Sequence, residues 1–216
     1  MRPTKIAIPL SLALCAVGIA LFLKAKPAPS GASEIDFGQP KHPVTAQMLE
    51  TSAKMSRVDA PSFSMVDVKG TPRQIGGETL SKPQFILFIL DTCPCSIDAQ
   101  PLFNKFSKHW ADKVDFLGVI DVDQKKGRAW ASDYRAVFPV IPDPKLDVIH
   151  AFKAQQSVYS ALVSKDGKIV KQWPGYSVDM IADMNREMAS EVGETPRKFD
   201  AEYAPLEKTS GCFFAK

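Results

Sequence analysis

Cysteine and histidine are both scarce in this 216-residue chain, with four of the first and three of the second. Cysteines at 15, 93, 95 and 212 are too few for a disulfide-dense scaffold but leave a redox site open. The histidines, His42, His109 and His150, all lie far from the cysteine pair in sequence. A net charge of +3 with no long basic stripe excludes a nucleic-acid-binding surface built on charge. Asp121, Asp123 and Asp143 lack the spacing of a metal-binding cluster, and no internal repeat is present. Hydrophobic residues make up 45% of the chain and charged residues 24%, which excludes a disordered polar chain and allows one sizeable domain.

What the chain does have begins at its N-terminus. Arg2 and Lys5 precede an apolar stretch from Ile6 to Leu23, near the lower length limit for spanning a bilayer as a helix. Lys24 and Lys26 interrupt any small-x-small cleavage pattern, so residues 1–25 read as an uncleaved signal anchor. Cys15, preceded by Leu14 and followed by more apolar residues, reads as a small side chain of that anchor. The following stretch is rich in Pro, Gly, Ser and Ala, and residues 26–58 are expected to tether the anchor to the domain. With its positive charges at the extreme N-terminus, the bulk of the chain is expected outside the cytoplasm, in the periplasm or cell envelope.

Residues 59–190 alternate between strand-like and helix-like stretches. Gln84–Leu90 is a continuous apolar run, as expected of a central strand covered on both faces, and Val114–Val122 is a second. Helical spacing runs from Ser96 to Trp110, from Gly127 to Val137 and over Lys145–Phe152. Two strands, Val158–Val163 and Lys168–Gln172, flank an Asp166-Gly167 turn. A last helix, capped by Ser177, presents Met180, Ile181, Met184 and Met188 as a core face. The order implies an α/β domain with a mixed central sheet flanked by helices. Residues 191–216 lose periodicity and are expected to form an extension on the domain surface that carries Cys212.

The chemistry-bearing run is Asp91-Thr92-Cys93-Pro94-Cys95-Ser96, between the central strand and the helix that follows it. A thiol at a helix start faces N–H groups that have no intrahelical partner. That positive end favours the thiolate, which is the reactive form. Pro94 suits the first helical turn because no N–H is needed there. Cys93 is therefore the candidate nucleophile.

This strand and Cys93-Pro94, followed by the segments Phe138–Pro144 and Ser160–Val170, resemble the redoxin branch of the thioredoxin superfamily. That branch includes the membrane-anchored TlpA/ResA thiol–disulfide oxidoreductases and the AhpC/TSA peroxiredoxins. The resemblance covers about residues 61–188 and implies a thioredoxin-like fold, with either disulfide exchange or peroxide reduction as the activity. Its implied partners are a protein dithiol, a disulfide or a peroxide as substrate, with a thiol electron donor. No metal or other cofactor is expected.

Departures from the family pattern bear on the reaction. Ser96 stands where the oxidoreductases carry their second cysteine, and Cys95 makes a C-x-C instead. Ile86 and Leu90 occupy positions that hold Pro and Thr or Ser in peroxiredoxins. Val158 occupies the place of the thioredoxin cis-proline. Either Cys95 or Cys212 is a candidate resolving thiol, and Cys212 reads equally as a structural cysteine. Asp91 is a candidate proton carrier or loop holder, with Thr92, Pro94 and Ser96 supporting the loop, and Trp173 reads as core or as a lid. A copper carrier of the SCO kind would use two thiolates and a histidine, with His150 as the histidine to test, although the C-x-C spacing departs from the usual C-x-x-x-C.

Overall fold

The computed structural model describes residues 42–214. The chain divides into two units, Met1–Asp36 and Phe37–Lys216. The first unit lies outside the described residues, and with it the expected anchor and much of the expected tether. Among the described residues no helix is long and apolar enough to cross a membrane.

The elements in chain order are α1 (Ala46–Ala53), β1 (Phe63–Val66), β2 (Pro72–Ile75), β3 (Gln84–Ile89), α2 (Pro94–Trp110) and β4 (Asp115–Ile120). They continue with α3 (Gln124–Asp133), β5 (Val140–Pro142), α4 (Asp147–Ala151), β6 (Ser160–Val163), β7 (Ile169–Trp173) and α5 (Val178–Glu191). Five strands form a sheet in the order β5-β4-β3-β6-β7, and β1 and β2 form a separate antiparallel hairpin. β3 pairs in parallel with β4 and antiparallel with β6, so the sheet is mixed and β3 is its centre.

Alternation of side chains along β3 builds both faces of the core. Phe85, Leu87 and Ile89 point to one side, where Leu102, Phe103, Phe106 and Trp110 of α2 meet Met180, Met184 and Met188 of α5. Ile86 and Phe88 point to the other, against Met48 and Met55 near α1 and Ile149 and Phe152 around α4. Every residue of β3 is buried, as expected of a strand covered on both faces. Ser177 caps α5 by accepting the Met180 N–H at 3.2 Å.

Two stretches differ from the sequence reading. Residues 46–53, expected to be tether, form a helix whose Thr45 cap accepts the Met48 N–H at 3.2 Å and whose Met48 and Ser52 are buried. The upstream Pro- and Gly-rich composition obscures so short an amphipathic turn. The extension after α5, expected on the surface, buries Ala204, Thr209, Ser210 and Phe214. Its start is pinned to α2: the Phe199 ring packs on Phe106 at 4.9 Å, and the Arg197 guanidinium lies 4.2 Å from the centre of the Trp110 ring.

Arg197 also donates to both carboxylate oxygens of Asp112 at 2.8 and 3.0 Å. The cation–π contact is worth more than the solvent-facing ion pair. Replacing Arg197 with Ala should lower unfolding free energy by about 1–2 kcal/mol in urea melts. An unchanged midpoint would show that Arg197 does not anchor the extension.

Candidate active site

The site is assembled at the C-terminal end of β3. The chain turns through Leu90–Cys93, the Cys93 N–H donating to the Leu90 carbonyl at 3.1 Å and the Leu90 N–H to Ser96 Oγ at 3.2 Å. Asp91 donates its N–H to Asp121 Oδ1 at 2.8 Å, and burial pushes the Asp121 carboxyl above its usual range. Cys93 is then the N-cap of α2, with extended backbone at φ −84° and ψ 119°, and Pro94 fills the first helical position. A cap with no N–H after it leaves Pro94 no donor to misplace, so the thiol stands at the helix mouth.

Across this mouth runs the end of the chain. The Val44 N–H donates to the Lys208 carbonyl at 3.0 Å and the Ser210 N–H to the His42 carbonyl at 2.8 Å, pairing residues 42–44 with the extension. Thr209 and Tyr176 exchange two backbone hydrogen bonds at 2.8 and 3.0 Å. The Gly211 N–H donates to the Ser157 carbonyl at 3.0 Å, and the Ser157 N–H to the Cys212 carbonyl at 2.9 Å. Glycine is needed at two of these crossings. A Cβ on Gly211 would sit 1.9 Å from Ser157 Oγ, and one on Gly175 would sit 2.2 Å from the Thr209 carbonyl oxygen.

Val158 explains how one loop serves two partners. Its φ of +63° is a left-handed conformation that a β-branched residue adopts only under constraint. Ser157 pairs with the extension, whereas the next residue turns away and donates its N–H to the Phe88 carbonyl of β3 at 2.8 Å. The kink at Val158 thus switches the chain from the closing strap to the central sheet. Among the described residues no peptide bond is cis, including the one at this position.

The strap brings the third thiol to the first. The Cys212 N–H donates to Cys93 Sγ at 3.1 Å. Hydrogen bonding from the Cys95 thiol is the largest influence on Cys93 and holds it well below the ordinary thiol range. Burial opposes this, and the Cys212 thiol, the Ser157 hydroxyl and the Cys212 N–H reinforce it. Ser157 Oγ is fully buried and makes no other hydrogen bond, which leaves it available to a sulfur anion. The same contact with Cys93 raises the Cys95 thiol, with burial and the neighbouring negative charges of Cys93, Cys212 and Asp98 adding to the shift. The arrangement therefore favours the thiolate at Cys93 and the protonated thiol at Cys95. Burial also raises the Tyr176 phenol, and Cys95, Asp98 and Cys93 contribute to the shift.

Of the residues singled out in the sequence, Cys93, Cys95 and Cys212 converge on one point. Asp91 and Ser96 hold the preceding loop, and Thr92 and Pro94 are exposed at its rim. Trp173 belongs to the core: its Nε1 donates to Asp183 at 2.7 Å and its ring lies 6.2 Å from that of Phe85. His150 is exposed on α4 and lines a cavity of about 440 Å³ with Phe213 and Phe214, so it is not the histidine of the thiol site. That place falls to His42, whose Nε2 is 3.5 Å from Cys212 Sγ. His42, Ser157, Tyr176 and Gly211 join the site only through chain crossings, and no local pattern marks them. Among the described residues no group of three or more His, Cys, Asp or Glu side chains is arranged to hold a metal ion.

A central strand leading into a helix capped by cysteine, in a mixed five-stranded sheet with helices on both faces, defines a thioredoxin-like fold. Solved structures share it. A protein disulfide isomerase structure from Bacteroides thetaiotaomicron is 19% identical with a TM-score of 0.58, covering 64% of this chain and 91% of that one. A thiol:disulfide interchange protein from Chlorobium tepidum is 20% identical at 0.56, covering 64% of this chain and 98% of that one. A peroxidoxin from Mycobacterium tuberculosis is 18% identical at 0.53, covering 63% of this chain and 95% of that one. The thioredoxin-like fold that the resemblance implies is thus the fold of this chain. No known family profile and no curated relative matches the sequence.

Proposed function

We propose that this protein is a thiol–disulfide oxidoreductase that acts through Cys93, held outside the cytoplasm by an anchor at residues 1–25. The observation that carries the reading is the set of donors around one sulfur: the Cys95 thiol, the Cys212 thiol and N–H, and the Ser157 hydroxyl all favour the Cys93 thiolate. A thiolate attacks a disulfide sulfur and is held as a mixed disulfide until a second thiol displaces the substrate. Cys212 suits that second role better than Cys95. It is partly exposed, and a Cys95 thiol held protonated is a poor nucleophile. A Cys93–Cys95 bond would also close a very small, strained ring. The substrate is a dithiol or disulfide, and a thiol donor resets the pair. The disulfide-exchange roles that two structural neighbours are named for agree with this reading.

A second reading, peroxide reduction, is favoured by one observation. Cys93 is only 1% exposed, a depth that a small oxidant reaches more easily than a folded protein does. Oxidation of Cys93 to the sulfenic acid, followed by condensation with Cys212, would yield the same disulfide and water.

One experiment separates these readings. The reduced full-length chain is given one equivalent of oxidised glutathione or of hydrogen peroxide, and its disulfides are mapped by mass spectrometry. Disulfide exchange predicts a Cys93–Cys212 bond with oxidised glutathione, formed at pH 5 faster than with an unperturbed thiol, which holds almost no thiolate there. Rapid formation with peroxide alone would transfer the assignment to the peroxidase reading. A Cys93 that stays reduced with both reagents would sink both.

A further inference from the structure

The chain end and the segment before α1 meet beside the thiols in a way that disulfide exchange alone does not require. Residues 42–44 run antiparallel to residues 208–210, joined by the Val44 N–H to the Lys208 carbonyl at 3.0 Å and the Ser210 N–H to the His42 carbonyl at 2.8 Å. This pairing fixes the His42 backbone two residues from Cys212 and sets its Nε2 3.5 Å from Cys212 Sγ. The Cys212 backbone in turn holds Cys93 Sγ at 3.1 Å. Cys212 therefore touches the imidazole through its sulfur and the candidate nucleophile through its backbone.

We propose that His42 is the catalytic base that deprotonates Cys212 when Cys212 resolves the mixed disulfide on Cys93. The proposal rests on the disulfide-exchange reading. In the first step the Cys93 thiolate attacks a substrate disulfide, forming the Cys93–substrate bond and releasing one substrate thiolate, which takes a proton from solvent. His42 Nε2 then accepts the proton of the Cys212 thiol, and the Cys212 sulfur attacks Cys93 Sγ. The Cys93–Cys212 bond forms as the Cys93–substrate bond breaks. The electron pair leaves on the second substrate sulfur, which is protonated by the His42 imidazolium. Two electrons pass from the protein thiols to the substrate, and both substrate sulfurs leave as thiols. In the reverse direction the imidazolium protonates Cys212 as a donor thiol opens the disulfide.

The division of labour follows from the surroundings. Cys93 needs no base, because donors already hold it as the thiolate. Cys212 lies against Cys93 through its backbone N–H, and its charge acts on the Cys95 thiol as well. A second anion forming there is opposed, so proton removal from Cys212 needs a partner that becomes positive as the thiol becomes negative. His42, with its Nε2 3.5 Å from Cys212 Sγ, is in contact with that sulfur and can do so.

The test uses the full-length chain with Cys15→Ser, comparing His42 with His42→Ala and His42→Gln. The first readout is independent of redox activity. With Cys93→Ser and Cys95→Ser added, the alkylation of Cys212 by iodoacetamide is followed from pH 5 to pH 9. Loss of His42 should slow alkylation about tenfold at pH 7 and move the profile toward the ordinary thiol range, in Ala and Gln alike. Added imidazole should restore part of the rate in the Ala variant. Superimposable profiles with and without His42 would overturn the proposal. The second readout keeps Cys93 and follows thiol release from its glutathione mixed disulfide, which should slow by about tenfold or more at pH 7 without His42 and recover toward pH 9. If Cys93 forms no mixed disulfide in any variant, the exchange reading fails, whereas the alkylation profile still judges the pairing of His42 with Cys212.

Discussion

Replacing Cys93 with Ser should abolish disulfide reduction, with turnover of oxidised glutathione in the presence of a thiol donor falling on the order of 10⁴-fold or more. The hydroxyl keeps the size and the hydrogen-bonding capacity of the position, so the Cys212 N–H that donates to Cys93 Sγ at 3.1 Å retains an acceptor. What is lost is the anion. Donors around Cys93 bring a thiol well below its ordinary range, but an alcohol starts far above it and stays protonated throughout the working range. Cys212→Ser should behave differently. It should still release one substrate thiol and then accumulate the mixed disulfide on Cys93, visible as a mass adduct. Full turnover by the Cys93→Ser protein would remove Cys93 from the mechanism.

Gly211→Val should give the next largest effect, and in the opposite direction for accessibility. The Gly211 Cβ position lies 1.9 Å from Ser157 Oγ, 2.9 Å from the Ser157 carbonyl oxygen and 3.0 Å from Ser157 Cβ, and rotating the hydroxyl away relieves only the first of these. The strap must therefore lift. Lifting breaks the Gly211 N–H to Ser157 carbonyl bond, the Ser157 N–H to Cys212 carbonyl bond and the Cys212 N–H to Cys93 sulfur bond. Three hydrogen bonds at about 1 kcal/mol each correspond to an opening equilibrium shifted by about 10²-fold. Alkylation of Cys93 at pH 8 should accelerate by about that factor, because the sulfur is buried beneath the closed strap.

The pH profile should move at the same time. Cys93 owes part of its low pKa to the Cys212 thiol, the Ser157 hydroxyl and the Cys212 N–H. With these withdrawn, its folded-state value rises, and the thiolate is lost at a higher pH as the solution is acidified. The variant should thus react faster at pH 8 and lose its reactivity earlier on the way to pH 5. A rate and profile equal to those of the parent would show that the strap does not cover Cys93.

Cys93 and its setting at a helix start were legible in the sequence because both are local. A buried apolar run ending at Leu90, a cysteine two residues after Asp91 and a proline at the next position define a strand, a turn and a helix start. Each depends only on residues close in the chain. The mixed sheet was legible too, since β3 and β4 read as buried runs and the Asp166-Gly167 turn marks an antiparallel pair. Short pieces were less so: α1 is brief, and its apolar residues sit beside a tether-like composition.

The fold class, the position of Cys93 at a helix mouth and the presence of two other candidate thiols all follow from the residue order. That Cys212 reaches Cys93, that His42 rather than His150 lies beside it, and that Trp173 is core emerge with the folded chain. The physical reason is distance along the chain. His42 and Cys212 are brought together by backbone hydrogen bonds between the segment before α1 and the chain end, with Gly211 and Gly175 allowing the close approach. Periodicity reports how a residue sits in its own helix or strand. It carries no record of which distant backbone will pair with it.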